Sequence, residues 1–233
     1  MTKLNSIGVI AAMQIEIDAL KERLEDSETV TISGIDYVCG KLHGKNVIAA
    51  KCGIGKVFAA VCAQTMITRF APDCIINTGV AGALNPKLHI TDIVIGEKTV
   101  QHDMDTSAIG DPVGLVSGIN VVFFESDKAV AEAIKKSADE LGYANINGTI
   151  ASGDRFVADM ETKAKIVSNF GADACDMESA AMAQVCYINN VPFGAIRAIS
   201  DGADDGANMD YPTFAAIAAE RGIALTDKFI SIV

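Results

Sequence analysis

The sequence predicts an α/β fold with a mixed or mostly parallel sheet, and three observations carry that prediction. Short, almost wholly apolar runs end abruptly in small or polar residues, as in VPFGAIRAISDGAD at 191–204; continuous hydrophobicity of that length marks strands covered on both faces. These runs alternate with segments of helical spacing along the whole chain, the pattern of a layered sheet with helices packed on it. No Pro/Ser-rich linker, compositional break or internal repeat interrupts the 233 residues, so residues 1–233 read as one domain.

Taken in order, residues 6–12 (SIGVIAA) read as a buried strand. Residues 14–24 follow with Met13, Ile17, Leu20 and Leu24 on one helical face, which places Glu16 in the first turn at the border of that face. Residues 37–42 and 46–51 form a hairpin about His43-Gly44-Lys45, and a glycine turn (CGIGK, 52–56) leads into a helix over 57–70. That turn lacks the spacing of either a Walker loop or a dinucleotide fingerprint. Strands are expected at 74–78, ending in Gly79-Val80-Ala81-Gly82, and at 90–100; residues 102–118 read as an irregular surface or interface loop. A strand at 120–124, a helix to 141 capped by Ser126, and a strand at 147–152 ending in Gly153-Asp154-Arg155-Phe156 come next. Then follow a helix near 161–170, a short strand at 174–177, a helix over 178–187, the strand within 191–204, and a closing helix over 213–229.

Composition narrows the function. A formal net charge of −11 with no basic block disfavours tight binding to nucleic acid or to an anionic membrane. Six cysteines lie mostly inside apolar runs and never as a CxxC pair, which suits buried thiols in a reducing compartment. The first apolar stretch is too short to span a membrane and lacks the shape of a signal peptide, so a cytoplasmic protein is expected. His102-Asp103-x-Asp105 hints at a metal, but with three histidines in the chain no second cluster supports one.

Three carboxylates, Glu16, Glu178 and Asp201, each follow a predicted buried strand, and the turns at Gly82 and Phe156 occupy the same kind of edge. If the strands are parallel, all converge at one side of the sheet, where α/β proteins bind ligands. Glu16 in a first turn also suits the helix dipole alone. Arg197, the one charge in its strand, must meet a carboxylate for structure or a bound ligand for function. Convergent acids with few other charges suit cleavage of a glycosidic bond, which needs an acid for the leaving group and a base for water.

The pieces GVIAAMQIE, KCGIGKV, IINTGVAGAL, SGDRF, DMESAA and RAISDGAD together resemble the 5′-methylthioadenosine/S-adenosylhomocysteine nucleosidases, in order and spacing over nearly the whole chain. The resemblance implies a three-layer α/β/α sandwich with a central twisted mixed sheet, the nucleoside phosphorylase fold, acting as a homodimer on an adenine nucleoside without metal or cofactor. It implies Glu16 as base to water and Asp201 as acid to adenine N7, with Ser200 orienting it. It assigns Glu178 to the ribose hydroxyls, with Met177 beside it, and Arg197 to the water-side carboxylate and the sugar end. Phe156 would stack on adenine while the Val157 main chain reads its edge. Met13, Ile54, Val80, Ala81, Gly82 and Tyr211 would surround the ligand, and a neighbour's loop around Ile109 would close the 5′ pocket.

Two departures from the family pattern stand out. Val80 replaces a serine that helps hold water in many members, and the 109–114 loop lacks aromatic residues. A phosphate-dependent phosphorylase on the same fold would need arginines where this chain has Glu16 and Asn77. A futalosine-type hydrolase and a catalytically silent nucleoside sensor are the remaining alternatives.

Overall fold

The computed structural model describes residues 4–204 and 207–233, with the main chain alone at 208 and 209. Ten strands form one mixed sheet. β1 (Ser6–Ala11) lies between β4 (Lys45–Lys51) and β5 (Cys74–Ala83), parallel to both. β3 (Ile35–Leu42) and β2 (Glu25–Ile32) extend that side as antiparallel neighbours. On the other side β5 pairs with β10 (Phe193–Asp201), and the path β10–β6–β8–β9 returns to β5, where β6 is Ile93–Gln101, β8 Asn145–Ser152 and β9 Ala174–Asp176. Five strands thus close a ring, and β7 (Phe123–Glu125) hangs from β6.

This ring corrects the premise of parallel strands. β9 runs antiparallel to β5, yet it meets only the last two residues of that strand, Gly82 opposite Cys175 and Ala83 opposite Ala174. The ends of oppositely directed strands therefore coincide on one rim, and the acids still converge.

Helices cover both faces. α2 (Lys56–Phe70) and α5 (Ser179–Asn189) bury Ala59, Cys62, Met66, Met182 and Cys186 against one face. α1 (Asp18–Lys21), α3 (Lys128–Glu140) and α6 (Ala207–Ile232) bury Leu20, Ile134, Ala218 and Phe229 against the other. α3 shows the cause in sequence: Val130, Ala133, Ile134, Ser137 and Ala138 recur at helical spacing and are the buried positions. α4 (Met160–Phe170) begins at Asp159, whose side chain accepts from the Thr162 N–H, and ends at Gly171 in the left-handed region. The result is the expected three-layer arrangement.

Several element boundaries differ from expectation. The helix over 14–24 is instead a 3₁₀ turn, Gln14–Glu16, followed by the single turn of α1, because the Glu16 side chain folds back on its own preceding main chain. Asp127, not Ser126, caps α3 by accepting from the Val130 N–H. β2 was not expected: its residues EDSETVTI are mostly exposed, as suits an edge strand whose charges block further pairing. α6 begins at Ala207 and contains Pro212, so the proline lies inside the helix instead of opening it.

Candidate active site

The rim of the ring opens into a cavity of about 270 Å³. Its wall contains Glu16, Glu178 and Asp201, buried at 3%, 7% and 2% exposure. Met13, Ile54, Val80, Ala81 and Gly82 also line it, as do Phe156, Met177, Ser200 and Tyr211. Among the described residues of that wall none is lysine or arginine.

Glu16 is held by main-chain donors. Its Oε2 accepts from the N–H groups of Ala12 (3.1 Å) and Met13 (2.8 Å), and its Oε1 from the N–H of Val80 (3.0 Å). Burial raises its pKa, while those three donors and the charge of Arg197 oppose the rise. Gly79 makes the approach to β5 feasible, since a Cβ there would lie 2.8 Å from Glu16 Oε1. Val80, which has no hydroxyl to offer, contributes through its main chain.

Asp201 ends β10. Its Oδ2 accepts from the Ser200 hydroxyl at 2.8 Å and its Oδ1 from the Ala203 N–H at 2.9 Å. Burial raises its pKa against those two donors, and Asp210 and Asp204 push it the same way as burial. The net effect is a carboxyl that holds its proton more tightly than an ordinary aspartate does. Gly82 leaves room for it, since a Cβ there would stand 2.9 Å from Asp201 Oδ1.

Glu178 follows β9 and accepts from the Gly55 N–H at 2.8 Å. Burial, then the nearby charge of Asp176, pushes it up to about 7. Phe156 stands edge-on to Tyr211 with ring centroids 5.6 Å apart, and the Tyr211 hydroxyl lies 3.0 Å from Met13 Sδ. Val157 lines a small adjoining cleft with Phe156, Gly82 and Asp201. Ile109 lies outside the cavity of its own chain and is 81% exposed.

Arg197 departs from expectation. It makes no hydrogen bond or ion pair to Glu16 and acts on it only through its charge. Its Nε donates to Asp176 Oδ2 at 2.8 Å, and its Nη2 lies 2.6 Å from the same oxygen. Nη2 also bonds Asn77 Oδ1, and Nη1 donates to the carbonyls of Asn77 and Ile196. Asn77 therefore serves the arginine and is not among the residues that line the cavity. The hydroxyls of Ser152 and Ser179 complete the shell around Asp176. Asp176, which the sequence reading passed over, is thus the fourth acid of the site. The signal was present: it lies two residues before Glu178 in the same DME segment.

Comparison with known proteins agrees with this architecture. The profile of the Phosphorylase superfamily matches residues 6–231. The 5′-methylthioadenosine/S-adenosylhomocysteine nucleosidase of Shewanella loihica is 41% identical over 89% of this chain and 91% of its own. The enzyme of that name from Neisseria meningitidis, solved in complex with methylthio-immucillin-A, superposes with a TM-score of 0.96 at 39% identity, covering 99% of this chain and 100% of that one. Futalosine hydrolase of Helicobacter pylori superposes with a TM-score of 0.94 at 34% identity, over 98% of each chain. With this fold, this cavity and these relatives, the chain belongs to the 5′-methylthioadenosine/S-adenosylhomocysteine nucleosidases of the phosphorylase superfamily, enzymes that hydrolyse N-ribosyl bonds.

Proposed function

We propose that the enzyme hydrolyses 5′-methylthioadenosine and S-adenosylhomocysteine, and 5′-deoxyadenosine as well, to adenine and the 5′-substituted ribose. Glu16, Glu178 and Asp201, three of the four buried carboxylates on a cavity whose described wall holds no cation, carry this reading. Glu16, ionised, takes a proton from water as the water oxygen bonds C1′. The C1′–N9 bond breaks with its electron pair passing to adenine, and Asp201 delivers its proton to N7. Glu16 ends protonated and Asp201 ionised, and proton exchange with solvent restores both. Glu178 accepts from the ribose hydroxyls beside Met177. Ser200 keeps Asp201 oriented, and Phe156 with the Val157 main chain receives the adenine. Met13, Ile54 and Tyr211 surround the 5′ end. Arg197 holds Asp176 and lowers the proton affinity of Glu16 by its charge.

A carboxylate at the water position repels phosphate, which favours hydrolysis over phosphorolysis. Adenine release from a panel of 5′-substituted adenosines, with futalosine and inosine included, tests the reading. Release independent of phosphate is expected; strict phosphate dependence, or turnover of futalosine alone, overturns it.

The active form is a homodimer. Ile54, Val57, Phe58 and Val61 place apolar side chains on α2 and the turn before it, at 55%, 74%, 56% and 41% exposure, and Ile54 also lines the cavity. A partner seated there brings its Ile109 loop to the 5′ pocket. Six free thiols, five of them buried, fit a reducing cytoplasm.

A further inference from the structure

The turn that feeds Glu178 its hydrogen bond is itself held from two sides, by residues outside the cavity. Gly55 has φ +100°, a left-handed conformation suited to glycine, and no side chain of its own caps α2. The next amide, Lys56 N–H, instead donates to Asp154 Oδ1 at 2.8 Å. Asp154 comes from the loop after β8, and its own N–H donates to Asp103 Oδ2 at 2.9 Å. Asp103, from the loop after β6, takes the Lys56 ammonium on its other oxygen at 2.5 Å. The ammonium also reaches Gln101 Oε1 at 3.1 Å. Both ends of Lys56 are therefore fixed, main chain by Asp154 and side chain by Asp103.

We propose that Asp154 is a positioning residue for ribose recognition: by anchoring the Lys56 amide it aims the adjoining Gly55 N–H at Glu178 and so fixes the carboxylate that grips the sugar hydroxyls. This rests on the assignment of Glu178 to the ribose. Gly55 supplies the hydrogen-bond donor to a side chain whose charged neighbours, Arg197 apart, are repulsive. The titratable and charged groups facing Glu178 are Asp176, Glu16, Arg197, Cys52 and Tyr211. Of these only Arg197 favours its ionised form, and that guanidinium is committed to Asp176. Burial pushes the Asp103 carboxyl up, and Lys56, the Asp154 N–H and His102 outweigh it, leaving Asp103 ionised as the clamp requires.

The test compares Asp154→Ala, Asp154→Asn and Lys56→Met with the parent enzyme in adenine release from 5′-methylthioadenosine over pH 5–9. Loss of this charge-assisted hydrogen bond in Asp154→Ala is expected to raise KM about tenfold with kcat changed less than about threefold. Because the Gly55 N–H favours ionised Glu178, its loss moves the acid limb of kcat/KM to higher pH. Asp154→Asn keeps the acceptor and recovers most of KM; Lys56→Met shifts both quantities the same way by less. Unchanged KM and an unmoved acid limb in Asp154→Ala, with only a lower Tm, reduce Asp154 to a structural cap and overturn the proposal. If Asp154→Ala does not fold, Lys56→Met alone decides by the same two readouts. Nucleoside binding followed by calorimetry against pH reads the same change without turnover. A parent enzyme that neither turns over nor binds the nucleoside overturns the site assignment itself, an outcome distinct from an active parent with an unaffected variant.

Discussion

Arg197 and Asp176 lock each other inside the strand ring, with Nη2 2.6 Å from Oδ2 and each side chain 2% exposed. Such a pair is costly to break from one side, since the survivor is left as a buried, unmatched charge. Asp176→Ala or Arg197→Met is expected to destabilise by about 3–5 kcal/mol, lowering Tm by roughly 10 °C for a domain of this size. Arg197→Lys should not rescue, because an ammonium cannot span Asp176, Asn77 and the Ile196 carbonyl together. Thermal unfolding checks this, and a loss below about 2 °C would contradict it.

Gly79 offers a way to disable Glu16 without touching it. A methyl group there would stand 2.8 Å from Glu16 Oε1, and the atom it meets is the free end of a side chain. The carboxylate can swing away, so Gly79→Ala should fold with a Tm near the parent's. Swinging away breaks the bond from Val80 N–H, and kcat should fall by about 100-fold or more, the scale of a lost general base. Turnover within a few-fold of the parent would show that Glu16 need not sit against β5.

Asp201→Asn and Glu16→Gln address the proton transfers directly. Asparagine keeps the oxygen that accepts from Ala203 N–H or Ser200 but has no acidic proton to give. Each variant is expected to lose about 10²–10⁴ in kcat while binding an adenine nucleoside near parental affinity. Calorimetry beside adenine release separates the two effects. Full-rate Asp201→Asn would remove it as the acid, and full-rate Glu16→Gln would remove that residue as the base.

Much of this site was legible in the chain because strand ends are loud in sequence. Apolar runs that stop at Glu16, Gly82, Glu178 and Asp201 announce their places, and those places share one cavity. What stayed hidden was pairing between distant segments. Arg197 faces a choice among carboxylates that periodicity cannot resolve, and only the ring shows that Asp176 is within reach. The helix expected at 14–24 failed for a related reason: three main-chain donors compete for the Glu16 carboxylate, one of them from β5, sixty-four residues away. β2 was missed because an exposed edge strand has no apolar alternation to read.

Glu178 makes a prediction about stability instead of rate. Its carboxyl has an ordinary pKa of 4.5 and is pushed up to about 7 in the folded protein, by burial first and by Asp176 second. A carboxyl raised on folding contributes stability that is full below pH 4.5 and lost as pH climbs through 7. Glu16 and Asp201 slope the same way, whereas His102, whose pKa burial lowers, slopes oppositely as pH falls below 6.5. The comparison of Glu178→Gln with the parent cancels those shared terms. Glutamine still accepts from Gly55 N–H and never ionises, so the variant should gain on the parent as pH rises from 5 to 8. At about 1.4 kcal/mol per tenfold change in proton affinity, the gain reaches on the order of 3 kcal/mol at most. Denaturant midpoints at pH 5 and pH 8 measure it directly. A difference between variant and parent that stays constant across that range would mean that Glu178 ionises in the folded protein as readily as it does in water.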